Sequence, residues 1–182
     1  NTDYVGGMFR HHSSEGGIKN VALENRFFDT SLDLMYGSNQ KDVSYNVDLG
    51  YQNQIYNWYG LPANFDSTLI NGINPQQTYG TISLGGNVTL NESILNKASL
   101  KYNHFSDASG SSENRFYAKP TVEFDVMDSA VKTNIIVDYV GGSFKNNYLN
   151  TNTTRVKYGF TNFGIVPSFV MQQDDWTLNI GA

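Results

Sequence analysis

The chain has 182 residues, no Cys, and 17 Asp and Glu against 12 Lys and Arg, a formal charge of −5. That length fits one domain. The missing Cys excludes disulfide frameworks and Cys-based metal sites, and the acidic balance without a basic block excludes a nucleic-acid partner.

No apolar run approaches the roughly 18 residues of a spanning helix, which excludes a helical membrane protein. Aromatic residues at 14%, with 17 Gly and 4 Pro, point to an all-β chain. The chain opens at Asn1-Thr-Asp-Tyr4 with no initiator Met and closes at Trp176-Thr-Leu-Asn-Ile-Gly-Ala182, inside a strand pattern. The expectation is one β-barrel segment over 1–182, truncated at both ends.

Alternation predicts strands over 3–12, 24–37, 42–58, 78–90, 97–106, 114–126, 130–145, 154–171 and 175–182. In the second, Phe28, Thr30, Leu32, Leu34 and Tyr36 oppose Asp29, Ser31, Asp33 and Met35. In the third, Val43, Tyr45, Val47, Leu49 and Tyr51 oppose Ser44, Asn46, Asp48, Gly50 and Gln52. Successive side chains of a strand point to opposite faces, so each strand has one apolar and one polar surface. Ile82 to Leu90 repeats the pattern. So do Phe116 to Val126, with Val122 and Phe124 on the apolar side, and Val131 to Tyr139, with Ile135 and Val137 there.

Residues 155–171 change phase between Phe160 and Phe163, which predicts a β-bulge. Short connections at 38–41, 91–96, 127–129 and 172–174 alternate with longer ones at 13–23, 59–77, 107–113 and 146–153. That is the layout of an antiparallel up-and-down transmembrane β-barrel. Eight complete strands and a partial ninth predict part of a larger barrel, since single-chain bacterial barrels have even strand numbers.

Three features favour a membrane barrel over a soluble β-sandwich. The strands are long. The charges Asp29, Asp33, Asp48, Lys101, Lys119, Glu123, Asp125, Lys132 and Asp138 fall on the polar side, which would face the lumen. Leu32, Leu34, Val43, Tyr45, Val47, Leu49, Tyr51, Val122, Phe124, Ile135 and Val137 fall on the side that would face lipid. Aromatics gather at strand ends as candidate interfacial girdles. They are Phe27, Phe28, Tyr56, Trp58, Tyr59, Tyr79, Phe105, Phe116 and Tyr117 toward the loops, and Tyr36, Tyr45, Phe124 and Trp176 toward the turns.

Asp3-Tyr-Val-Gly-Gly-Met-Phe-Arg-His-His-Ser-Ser-Glu-Gly-Gly-Ile18 and Asn46-Val-Asp-Leu-Gly-Tyr-Gln-Asn-Gln-Ile-Tyr-Asn-Trp-Tyr-Gly-Leu-Pro62 resemble barrel segments of Bacteroidota outer-membrane proteins of the TonB-dependent-receptor-like type. The resemblance implies an outer-membrane location. It implies either passage of a small solute through a polar lumen, or service as an accessory barrel of a secretion or barrel-assembly complex. Outer-membrane lipid and other outer-membrane or periplasmic proteins are the implied partners. No plug or TonB box is visible in this segment, so energised uptake does not carry over.

Candidate chemistry is sparse. His11 and His12 with Glu15 are adjacent on a strand, face opposite ways and do not converge as zinc requires. His104 and Asp107 join them only by tertiary contact. Asp29, Asp33 and Asp48, with Arg10 and Arg26 opposite in sign, form either a selectivity patch for a charged or sugar-like solute or a self-paired network. The interspersed signs favour pairing. Tyr56, Trp58 and Tyr59 suggest sugar stacking, but a girdle role is the expectation.

Gly6-Gly7, Gly85-Gly86 and Gly141-Gly142 precede no helix signal, so they mark curvature or close packing rather than a phosphate loop. No Ser-His-Asp order or paired catalytic carboxylates are present, so no catalytic residue, cofactor or metal is expected.

Overall fold

The computed structural model describes residues 2–57, 60–62, 64, 66–70, 74–126, 129–145, 155–173 and 176–181. The strands are β1 (Thr2–Ser14), β2 (Phe27–Asn39), β3 (Val43–Asn57), β4 (Gln76–Leu90), β5 (Leu95–Asp107), β6 (Ser112–Val126), β7 (Ser129–Lys145), β8 (Arg155–Gln173) and β9 (Trp176–Gly181). All nine expected strands are present, with ends displaced by three residues at most. They form one antiparallel sheet in sequence order. There is no second layer among the described residues. The sheet is open, with β1 and β9 as its edges.

Strands β1 to β8 run for 13–19 residues, well beyond the usual soluble strand of about 5–6. Alternation over part of each strand gives it one apolar and one polar face. Tight connections close one end of the sheet. Gln40 N–H donates to Val43 O at 2.9 Å, and the neighbouring turn is tied to it by Asn91 Nδ2 donating to Lys41 O at 2.6 Å. We call this the turn end.

At the opposite, loop end, the first and third connections are long and touch each other. Val21 bridges Pro62, and Ala22 N–H donates to Leu61 O at 2.9 Å. The third connection also carries one helical turn, α1 (Ser67–Ile70), opened by Asp66. The Asp66 carboxylate accepts from the Thr68 hydroxyl and backbone N–H, which hold it below the usual carboxylate range. The β5–β6 connection, expected to be a longer loop over 107–113, is only the tight segment 108–111, secured by Ser111 N–H donating to Asp107 Oδ1 at 2.7 Å. The turn at 127–128, Trp58, Tyr59, Asn71-Gly72 and the connection at 146–154 lie outside the described residues.

The register of β8 corrects one expectation. Its pairing with β7 runs without interruption from Arg155 against Lys145 to Met171 against Ser129, so there is no bulge between Phe160 and Phe163. Both aromatics are present because the two faces change character along the strand. The irregularity in the sheet falls instead between Leu95 and Lys97, opposite Val122 and Thr121. The β6–β7 ladder also skips Lys119 and Pro120, as expected where a proline lacks the N–H.

Residues directly opposite in antiparallel strands share a face. Leu32 faces Tyr51, Leu34 faces Leu49 and Tyr36 faces Val47; these in turn meet Ile82, Leu84 and Gly86. One apolar face therefore runs across the sheet, and nothing covers it. No apolar side chain is buried among the described residues. Leu34, Leu49 and Tyr51 are 44%, 46% and 47% exposed, whereas Ser31 on the other face is 7% exposed. Polar-face side chains such as Arg10 and Asp33 are exposed too, so both faces of the single sheet are open and its apolar face is left uncovered.

The apolar runs also drift. The cross-strand row Tyr36, Val47, Gly86, Leu100, Ala118, Val137 and Phe163 is continuous. On β2 the run Phe28–Tyr36 lies loopward of that row, and on β8 the run Phe163–Met171 lies turnward of it. The run thus moves eight residues in six strand-to-strand steps. With a rise of ~3.3 Å per residue and ~4.8 Å between strands, a level apolar belt requires strands tilted by about 40°.

Candidate functional site

The polar face is the candidate site. Register places Asp29, Asp33, Asp48, Lys101, Lys119, Glu123, Asp125, Lys132 and Asp138 together on it. Leu32, Leu34, Val43, Tyr45, Val47, Leu49, Tyr51, Val122, Phe124, Ile135 and Val137 share the other face.

Several charges pair on the polar face. Glu123 meets Lys132 at 3.1 Å across β6 and β7. Arg115 forks onto Asp138, with Nε to Oδ1 at 3.0 Å and Nη2 to Oδ2 at 2.7 Å. Arg115 was not among the residues expected here. Its polar parity was legible, but its carboxylate partner, diagonal to it and opposite Tyr117, became evident only from the pairing of β6 and β7. Arg10 lies 3.6 Å from Asp33. Arg26 does not join this group; it pairs with Glu24 at 3.1 Å, before β2 begins.

Asp29 is held by amides rather than by a cation. Gln52 Nε2 donates to its Oδ1 at 3.0 Å, and Gln54 Nε2 donates to its Oδ2 at 3.1 Å. Between Arg10, Asp33, Gln52 and Ser83, over the bare backbone of Gly50, lies a shallow cleft of about 100 Å³. Gly85 serves a related purpose: a side chain there would strike the Asp48 carboxylate, which lies over it.

The aromatic residues of the loop end require a correction. Phe28 and Phe116 lie on the apolar face, as a girdle would. Phe27, Tyr56, Tyr79, Phe105 and Tyr117 lie on the polar face. Phe27 and Tyr56 stack with ring centroids 6.3 Å apart and an 18° interplanar angle. Tyr79 and Phe105 stack at 5.9 Å and 19°. His12 meets Phe27 edge-on at 5.2 Å, and Tyr158 O–H donates to Glu113 Oε2 at 2.6 Å. The reason is parity: each of these rings is an odd number of residues from the apolar set of its own strand. Toward the turn end, Tyr36, Tyr45, Phe124 and Trp176 all lie on the apolar face.

The two adjacent histidines point to opposite faces. His11 Nδ1 is hydrogen-bonded to Thr30 Oγ1 at 2.8 Å on the apolar side, while His12 stands opposite Asp29 on the polar side. His104 is on the apolar side, bonded to Asn114 Oδ1 at 2.8 Å, and Asp107 is on the polar side. No group of three or more His, Asp or Glu able to hold a metal occurs among the described residues.

The polar face thus offers exposed rings, amides and carboxylates along one end of a wall. That arrangement can contact a hydroxyl-rich molecule through ring faces and hydrogen bonds together. No model of a known protein family, no curated protein and no solved structure matches this chain.

Proposed function

We propose that this chain forms part of the wall of a transmembrane β-barrel in a bacterial outer membrane, and that its polar face lines a path for a small hydrophilic solute. The single observation that carries the reading is the uncovered apolar face of the sheet. A soluble domain buries its apolar faces between at least two layers. Here nine strands carry an apolar face with no buried apolar side chain among the described residues.

Hydrocarbon covers such a face without a second protein layer. The apolar runs suit the same purpose. Val43–Tyr51 and Val131–Tyr139 each span nine residues, against the roughly 9–11 needed by a tilted membrane strand. The tilt of about 40° that levels the belt falls in the 35–45° range of membrane barrels. In lipid both open edges need partner strands, because no backbone edge stays unpaired there.

The rings on the polar face favour transport, with a sugar-like solute the best chemical fit to rings beside Asp29, Gln52 and Gln54. The alternative is a non-catalytic barrel subunit docked within an outer-membrane complex of the secretion or barrel-assembly kind. Bacteroidota receptor-like barrels remain the proposed kin.

The test is substitution on the two faces, scored by outer-membrane assembly. Lys at Val47 or Leu49 should block assembly, because a lipid-facing Lys near the midplane costs roughly 2–4 kcal/mol. Lys at Asn46 or Gln52 should be tolerated. Equal tolerance at all four positions, or a full-length protein soluble without detergent, would overturn the proposal. Purification in mild detergent separates the two readings: stoichiometric protein partners favour the subunit, and a lone conducting barrel favours the pore.

A further inference from the structure

The apolar face is nearly free of charge, and its exceptions are ordered. Among the described strand residues of this face, the Asp, Glu, Lys and Arg are Asp3, Lys145, Arg155 and Lys157. Asp3 stands at the turn end, where Ser38 Oγ donates to it at 2.5 Å. The three cations stand together at the loop end. Lys145 is directly opposite Arg155, and Lys157 is opposite Ser143 on the same two strands. No ion pair reaches any of the three among the described residues. Arg155 makes one long contact, Nη2 donating to Gly110 O at 3.4 Å, and Arg155 and Lys157 are exposed.

Their height along the strands is informative. Lys145 lies six residues beyond Tyr139, the last ring of the apolar run on β7. On β8, Lys157 and Arg155 lie six and eight residues beyond Phe163. At ~3.3 Å per residue and a tilt of about 40°, these backbones stand roughly 15–20 Å above the apolar edge. The headgroup layer of a simple bilayer adds only about 5–8 Å on each side of the hydrocarbon. Even side chains turned back toward it end at its outer margin or above. Between the apolar edge and the cations, the face presents Ser112, Asn114, Gly159 and Thr161, a neutral shelf of small and polar groups, with Gly141 and Ser143 buried beside them.

We propose that Lys145, Arg155 and Lys157 form a docking site for the phosphate groups of an anionic glycolipid in the leaflet at the loop end, with its saccharide over the neutral shelf. The proposal rests on the membrane reading above. Charge complementarity selects an anion, and height selects one carried on a saccharide rather than on a glycerol headgroup. The anionic Asp3 at the opposite end makes the preference one-sided.

The test uses the full-length protein and vesicles containing a glycolipid phosphorylated on the outer sugars of a multi-sugar headgroup, or its dephosphorylated form. The protein is inserted, re-extracted in mild detergent, and its retained lipid is measured by mass spectrometry. The parent should retain the phosphorylated glycolipid, and high salt should weaken retention. The variant carrying K145Q, R155Q and K157Q should insert equally well and bind it roughly tenfold or more weakly. The single variant K157Q, which alters one exposed side chain, should lie between them.

Equal retention by parent and triple variant overturns the site, as does equal retention of the dephosphorylated lipid. An acidic protein held by the cations in place of lipid also overturns it. A parent that inserts but shows no phosphate dependence sinks this proposal alone. A parent that stays in the aqueous phase sinks the membrane reading with it.

Discussion

Tyr36 and Phe163 lie on one continuous cross-strand row, yet they mark opposite ends of the apolar face. Tyr36 closes the apolar run of β2 at the turn end, and Phe163 closes that of β8 at the loop end. A sheet with untilted strands has no need for such a drift, because its apolar face follows the rows. A flat apolar slab crossing tilted strands does need it. The drift therefore ties the lipid reading to a geometric property of the sheet as well as to its exposed surface.

Phe160 and Phe163 provide a direct test of the β8 register. They are three residues apart and on opposite faces. Phe163→Lys should reduce outer-membrane assembly modestly, at a cost of up to about 1 kcal/mol so near the edge of the belt. Phe160→Lys should leave assembly close to normal. Heat-modifiable migration of the folded protein in detergent would score both. A strong defect at Phe160 with none at Phe163 would restore the bulge that the continuous ladder excludes.

The sequence made the strands and their two faces legible because the side-chain period of a strand is two. Parity alone therefore placed Asp48, Lys132 and Leu49 on their faces without any pairing information. Four features escape that reading, for different reasons. The ring of Tyr56 was read as a girdle residue from its place near a strand end, although its parity with Gln52 and Gln54 already assigned it to the polar face. Residues 155–171 look phase-shifted in sequence because Tyr158 and Phe160 put aromatics on the polar side just where the apolar side turns to Thr161 and Gly159. The oblique belt depends on which residues stand opposite one another, and a single strand carries no record of that. The Arg115–Asp138 fork was hidden in the same way.

Glu123 and Lys132 should be coupled, with their side chains 24% and 42% exposed and 3.1 Å apart. In a double-mutant cycle of Glu123→Gln and Lys132→Met, the coupling should be about 0.5 kcal/mol, as for other partly exposed pairs. Denaturant unfolding from detergent or vesicles would measure it. The coupling should shrink as salt rises, since water reaches both groups. A coupling indifferent to salt would argue against a wetted polar face.

The contact between the first and third loop connections can be trapped covalently. Val21 and Pro62 form an isolated antiparallel bridge, a geometry with Cα atoms about 4.5–5.5 Å apart. That falls within the span a disulfide accepts. These 182 residues hold no Cys, so within them V21C and P62C can bond only to each other. Oxidation should shift its migration under non-reducing conditions, and reduction should restore it. Failure to cross-link in folded, membrane-assembled protein would show that the two loops do not pair there.

The stacked rings of the loop end separate the transport reading from a girdle. A girdle ring sits at the lipid boundary, so its loss weakens assembly. A ring on the polar face makes no lipid contact, so its loss should leave assembly unchanged and alter what the wall binds. Tyr56 and Phe105 are the exposed members of the two stacked pairs, at 38% and 37%. Tyr56→Ala and Phe105→Ala should both assemble normally. Each should weaken block of single-channel current by neutral oligosaccharides about three- to tenfold, the loss expected from one aromatic contact of ~0.5–1.5 kcal/mol. Phe116→Ala, at the same end but on the apolar face, should do the reverse: lower yield of assembled protein with unchanged block. If all three variants lose assembly alike and none alters block, the rings serve the lipid boundary and the polar wall is not a solute path.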